Sequence, residues 1–249
     1  MATQVVVPAD LAPEQLQQHI LSTYLDIRRG IAIIGIIFPF LLWIGGRVRY
    51  GLPLQDSMSA YYYTPMRDWF VGLLFVTGTF LVLYKGFSHA EDWALNIGGA
   101  LAVGVAIFPM PLEKGKEWIT LHGFCAVGLF FSIAFVALFC AKDTLELIKD
   151  TKIPNPEQVI ARLKKLYNGI GVAMILAVAA AYLLNNAFDT GRSTFWVEAA
   201  GILSFGFYWL VKSWELQRTQ AELKTLRGET RKVGGKLMRV APSAPARRS

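Results

Sequence analysis

Charge is scarce in this sequence. Of its 249 residues only 17% are charged, while 54% are hydrophobic, against about 25% charged in an ordinary soluble domain. The shortage is concentrated in whole runs of about 20 residues, the length that matches a hydrocarbon core of roughly 30 Å. This excludes an ordinary soluble domain, and the length suits one bundle rather than two domains. Histidine is rarer still, with only His19, His89 and His122. The two cysteines, Cys125 and Cys140, fall in one expected helix about 22 Å apart along its axis. They cannot pair with each other and read as small apolar fillers. With no CxxC motif and no Cys/His cluster, neither a metal site nor a cofactor is implied. A cleavable signal is lacking too: Met1 to Ala9 has no basic and no apolar region, so the run beginning near Ile31 serves as both signal and anchor.

What is present is a succession of apolar runs. Residues 10–27 are expected to form an amphipathic helix, with Asp10 as cap, Pro13 and Glu14 in its first turn, and Leu16, Ile20, Tyr24 and Ile27 on one face. It reads equally as an interfacial helix on anionic lipid or as a lead-in packed on the bundle. Six spans follow at 30–48, 69–88, 93–111, 119–141, 168–188 and 194–214. The expected fold is therefore all-α: a polytopic membrane protein with a six-transmembrane-helix bundle and an N-terminal amphipathic helix. Residues 1–29 form a cytoplasmic segment, 30–214 the membrane domain, and 215–249 a polar helix followed by a disordered basic tail. With the N-terminus inside, the cytoplasmic connections carry 19 Lys and Arg against 6 on the other side. That split places both termini in the cytoplasm and suggests a bacterial inner membrane. The net charge of +7 is then a topology and headgroup signal, with no nucleic-acid partner implied.

Small residues at four-residue spacing predict close helix contacts. They are Gly98, Ala102 and Ala106 in the third span, Gly128 and Ser132 in the fourth, and Gly169, Ala173, Ala177 and Ala181 in the fifth. The same faces could also serve self-association. Pro109 and Pro111 end the third span where a freed carbonyl can reach water.

The polar residues sort into two layers. The outer one gathers Ser57, Ser59, Tyr61, Tyr62, Tyr63, Arg67 and Asp68 from the first outer loop. To these it adds His122, the edge residues Asn185, Asn186, Asp189 and Arg192, and Glu198 one turn inside the last span. The inner one holds Lys85, His89, Asp92 and Asn96. Three outer segments converge on one end of the bundle, where sites are commonly built. The candidate ligand-binding residues are Ser57, Ser59, Tyr62, Arg67, Asp68, His122, Arg192 and Glu198. His122 could act as acid or base, oriented by Asp68, Asp189 or Glu198, with Ser57 or Ser59 as nucleophile. Arg67 or Arg192 could hold a phosphate or carboxylate. A carboxylate within a span is costly and needs a partner, and Arg192 is the nearest cation to Glu198 in sequence. Against these roles stands a structural account: Tyr and Trp belong at headgroup level, Asp68 suits a helix cap, and His122 can bond a neighbouring carbonyl. A zinc hydrolase of the alkaline ceramidase type would need several convergent histidines, and Tyr62 and Tyr63 stand where its next one would be.

Ser57-x-Ser59-x-Tyr61-Tyr62, Arg67-Asp68, Asn96 with its glycines, Ala106 to Pro109, Leu121-His122-Gly123 and Phe130-Phe131 occur in an order that resembles a family of uncharacterised six-span bacterial membrane proteins. More distantly it is similar to the DRAM/Frag-type superfamily. The resemblance covers about residues 30–141. It implies a six-span fold and, through distant eukaryotic relatives, lipid remodelling and lysosomal or autophagy roles; it supplies no catalytic residues. The resulting expectation is an integral membrane protein whose outward polar pocket binds a lipid headgroup or small polar ligand. The alternatives are a lipid-modifying hydrolase using His122 with a nearby carboxylate, a small-solute transporter, and a membrane scaffold.

Overall fold

The computed structural model describes residues 13–111, 120–187, 192–233 and 236–239, which are mostly helical. Helix α1 runs from Pro13 to Phe40, with a proline at the first position, where its missing N–H costs nothing. Residues 13–27, expected as a separate amphipathic helix, are the first turns of this one rod. Gly30, the weak point between the two, packs its bare Cα side against the Phe80 ring, which outweighs a penalty of about 1 kcal/mol for glycine in a helix. Pro39 cannot donate to the Gly35 carbonyl. The chain relaxes just beyond it into a π turn, Leu41–Gly45, and continues as α2, Gly46–Tyr50. Gly51, at φ +67°, ends the rod in the left-handed region that a side chain would disfavour.

Five more long elements follow. They are α3 (Arg67–Leu83), α4 (His89–Ile107), α5 (Leu121–Phe135, prolonged by a π turn to Cys140), α6 (Pro156–Ala187) and α7 (Ser193–Thr219). Each packs on its sequence neighbour, and α7 packs on α1, so the helices close into a ring. Two crossings bring backbone onto backbone. A Cβ on Gly35 would lie 2.8 Å from the Gly206 Cα, and one on Gly78 would lie 2.6 Å from the Gly99 carbonyl oxygen. Of the expected small-residue stripes, Gly98 meets Ser132 and Gly128 meets Leu101, whereas Gly169 faces open space.

Four of these helices are long and apolar enough to cross a membrane: Gln15–Tyr50, Leu121–Cys140, Pro156–Ala181 and Ser193–Thr219. The ring wears apolar side chains outward, with Phe124, Phe139 and Leu176 each more than half exposed. Such surface is stabilised by lipid, not by water.

Beyond α7, Gln220 adopts the left-handed conformation and turns the chain into α8 (Ala221–Leu226). Residues 230–233 and 236–239, expected within a structureless basic tail, instead pair as antiparallel strands β1 (Thr230–Val233) and β2 (Lys236–Arg239), a hairpin. The Gly-Gly between the strands is, as sequence, a hairpin signal. Leu237 anchors this hairpin, buried with Leu147, Leu216 and Ala221, and its N–H donates to the Asp143 carbonyl at 2.7 Å. The rest of the expected tail, 240–249, lies outside the described residues.

Candidate functional site

The segment 51–66 folds over one end of the ring, here the loop end. The Phe195 N–H donates to the Asp56 carbonyl at 2.9 Å, tying the segment to the start of α7. A 3-10 helix, Ser59–Tyr63, follows. Ser57, buried, accepts the Ala60 N–H at 3.1 Å. Glu198 accepts the Met58 N–H at 2.6 Å, so its carboxylate serves the free amides at the start of that short helix. Arg192 is exposed and is not its partner. Six residues along α-helical geometry put the two on different faces, and a backbone amide lies closer.

Thr120 caps α5 by accepting the Gly123 N–H at 2.9 Å, which sets His122 in the first turn. The His122 Nδ1 lies 2.7 Å from the Phe108 carbonyl oxygen, and its Nε2 lies 2.9 Å from Ser59 Oγ. A carbonyl can only accept, so Nδ1 carries the proton and Nε2 accepts from the Ser59 hydroxyl. The Phe108 carbonyl is available because α4 ends at Ile107 and Pro109 has no N–H to carry the helix on. That freed carbonyl was expected to meet water; it meets histidine. The orienting group on His122 is thus a backbone carbonyl, and neither Asp68 nor Glu198 takes that place.

The remaining candidates lie apart from this pair. Arg67 donates to the Tyr62 hydroxyl at 2.7 Å and sits 4.4 Å from that ring's centroid, a cation–π pair at the surface. Tyr63 donates to the Met110 carbonyl at 2.6 Å. Asp68 is exposed in the first turn of α3 and caps nothing. Of the edge residues, Asp189 lies outside the described residues, and the side chains of Asn185 and Asn186 are likewise not described. The structure therefore brings together Ser57, Ser59, His122 and Glu198, and leaves Tyr62 with Arg67, Asp68 and Arg192 on the surface. Among the described residues no three His, Cys, Asp or Glu side chains gather as metal donors.

A second polar cluster lies at the opposite end, here the termini end. Lys212, 1% exposed, donates to the Ala141 carbonyl at 2.9 Å, to Thr144 Oγ1 at 2.7 Å and to Glu215 Oε2 at 3.1 Å. Tyr167 donates to the same carboxylate at 2.5 Å, and Thr144 donates to its other oxygen. Arg28, also buried, grips both oxygens of Glu222 on α8. Glu91 is buried and accepts the Phe87 N–H at 2.8 Å, while Asp92 accepts the Gly86 N–H at 2.7 Å. Asn96, expected to bond across helices, keeps its Oδ1 buried with no hydrogen-bond partner among the described residues.

Sequence reasoning placed Lys85, His89, Asp92 and Asn96 at this end and passed over Arg28, Glu91, Lys212 and Glu215. The available signal was spacing. Tyr208, Lys212, Glu215 and Thr219 recur at i+4, i+3 and i+4, one face of a helix. Lys212 was instead counted only as a topology charge. The chain matches no family model, no curated protein and no solved structure.

Proposed function

We propose that this chain is an integral protein of a bacterial plasma membrane. It crosses the bilayer six times, with both termini cytoplasmic, and its far side holds a lipid headgroup or small polar ligand at the loop end. The ring of six long helices with an apolar exterior supports the crossings, and the 19-to-6 asymmetry of basic residues supports the orientation. Its likeness to six-span bacterial membrane proteins, carried by the Ser57 to Tyr62, Ala106 to Pro109 and Leu121 to Gly123 segments, belongs to the same reading.

The observation that carries the binding role is the Ser59–His122 contact. Phe108 holds the imidazole in one tautomer, leaving Nε2 as an acceptor whose one partner is a rotatable hydroxyl. A ligand hydroxyl or ammonium can displace that partner without disturbing the ring. The test is thermal stabilisation of the purified protein by phosphoethanolamine, glycerol 3-phosphate and phosphatidylglycerol, comparing wild type with Ser59→Ala and His122→Ala. Stabilisation of wild type that His122→Ala loses and Ser59→Ala keeps is expected, since the ligand takes the place of the Ser59 hydroxyl on Nε2. No stabilisation of wild type, with His122→Ala far less stable, would leave only a structural role for the pair.

The same contact favours a second reading, in which Ser59 is a nucleophile and His122 its base, with the Phe108 carbonyl doing the orienting. A fluorophosphonate tests it. Ser59 Oγ would attack phosphorus, fluoride would leave as the P–F bond breaks, and His122 Nε2 would take the hydroxyl proton. Phosphonylation of Ser59 that His122→Ala abolishes supports it; an unlabelled wild type removes it.

A further inference from the structure

The termini end contains a cleft independent of the Ser59–His122 pair. Its volume is about 320 Å³, within the range of roughly 300–1,000 Å³ typical of small-molecule pockets. α1 contributes Leu21 and Tyr24, the turn between α3 and α4 contributes Lys85 and Phe87, α8 contributes Glu222, and the hairpin contributes Leu237.

The charges around it are unevenly engaged. Arg28 holds both Glu222 oxygens, and behind the turn Glu91 and Asp92 accept backbone N–H groups. Lys85 is exposed and, among the described residues, has no acidic partner. The Tyr24 hydroxyl likewise has no hydrogen-bond partner there. Tyr84 packs edge-on against Tyr24, with ring centroids 6.3 Å apart. The Lys85 ammonium and the Tyr24 hydroxyl can both donate, while Leu21, Phe87 and Leu237 offer apolar wall.

We propose that this cleft binds one anionic amphiphile by its head and a single acyl chain, the carboxylate or phosphate on Lys85 and Tyr24 and the chain against Leu21, Phe87 and Leu237. A charge-assisted bond supplies head-group selectivity and the apolar wall supplies affinity for the chain. The occupant can arrive as a free fatty carboxylate or as an anionic lipid of the adjoining leaflet.

The test is calorimetric titration of the full chain, in an uncharged maltoside detergent, with decanoate. Decanol and decyltrimethylammonium carry the same chain under other heads. Decanoate is expected to saturate one site and to bind at least about tenfold tighter than either control. Lys85→Glu should weaken it by about tenfold or more. Thr225→Trp, on the α8 wall of the cleft, should abolish it, whereas Thr225→Ala, which loses the same hydrogen bonds without filling the cleft, should still bind. His122→Ala should bind decanoate like wild type, separating this site from the loop-end one. Equal binding of the three heads, an unaffected Lys85→Glu, or no saturable decanoate binding to wild type would overturn the proposal. Repeating the titration in phosphatidylcholine nanodiscs with and without phosphatidylglycerol assigns the source. Loss of decanoate binding on adding the anionic lipid assigns the site to the leaflet, and unchanged binding assigns it to the free amphiphile.

Discussion

At the loop end, polar side chains are satisfied chiefly by backbone. Glu198 takes a Met58 amide, His122 takes a Phe108 carbonyl, and Tyr63 reaches the Met110 carbonyl. At the termini end Glu91 and Asp92 also take backbone amides, but the deepest charges there are satisfied chiefly by other side chains. Lys212, Glu215, Thr144 and Tyr167 form one buried network, and Arg28 pairs with Glu222 across 194 positions of sequence. The difference decides what each end can do. A side chain on a backbone partner keeps its second functional atom available for exchange, as His122 Nε2 does. A charge whose every hydrogen bond goes to another buried side chain is committed, because removing any member strands the rest.

The comparison breaks most visibly at Lys212 and Glu215. Glu215→Ala leaves the Lys212 ammonium buried without its carboxylate and should destabilise by about 3–5 kcal/mol. The double variant Lys212→Met with Glu215→Leu should lose less, and thermal unfolding in detergent reads both. If the double variant proves the worse of the two, the ion pair is not what makes that end rigid. Next comes the crossing between the ends. Gly206→Leu forces a side chain into the Gly35 backbone and should cost roughly 1–3 kcal/mol by overpacking, seen as a lowered unfolding temperature with helicity retained. Smaller again is His122→Ala, which deprives Phe108 and Ser59 of their partner. Its cost should be about 1–2 kcal/mol, and a loss matching Glu215→Ala would erase the contrast between the ends.

The smallest effect is a pH dependence at the termini end. Bonds from Lys149 first, and then Lys236, hold the Glu146 carboxyl below its ordinary value of 4.5. A lowered folded value means that its contribution is fully present above the unfolded value and fades as pH falls through the folded one. At this partly screened site it should amount to less than about 1 kcal/mol. The stability gap between wild type and Glu146→Gln at neutral pH should therefore close below pH 4.5. A gap that persists there would assign the effect to packing.

How much of this was legible differs between the ends as well. The run from Ser57 to Tyr63 and His122 could be read as one cluster, because loops bounded by long apolar runs must meet at a bundle end. Which atoms meet could not be read, since backbone carbonyls and amides leave no mark in residue identity; Glu198 meets the Met58 amide and not Arg192, and His122 meets the Phe108 carbonyl and neither Asp68 nor Glu198. At the termini end the error was in depth. Lys212 and Glu215 look like the charged margin of a span when counted along the chain. They are buried because Ala141 and Thr144, just beyond α5, and Tyr167 on α6 close over them, and the segment from Lys142 on is polar enough to read as loop. The crossings at Gly35 with Gly206 and Gly78 with Gly99 escaped as isolated glycines, having no four-residue stripe to announce them.

The pairing of Arg28 with Glu222 also imposes an order on biosynthesis. The guanidinium leaves the ribosome 194 residues before the carboxylate that will bury it. At about 5–20 residues per second that is a wait of roughly 10–40 s. Until then α1 carries an unmatched cation at its base and a bare glycine where α7 will dock. A nascent chain stalled before residue 222 would therefore show the cell an unpaired arginine, and only a finished one can hide it.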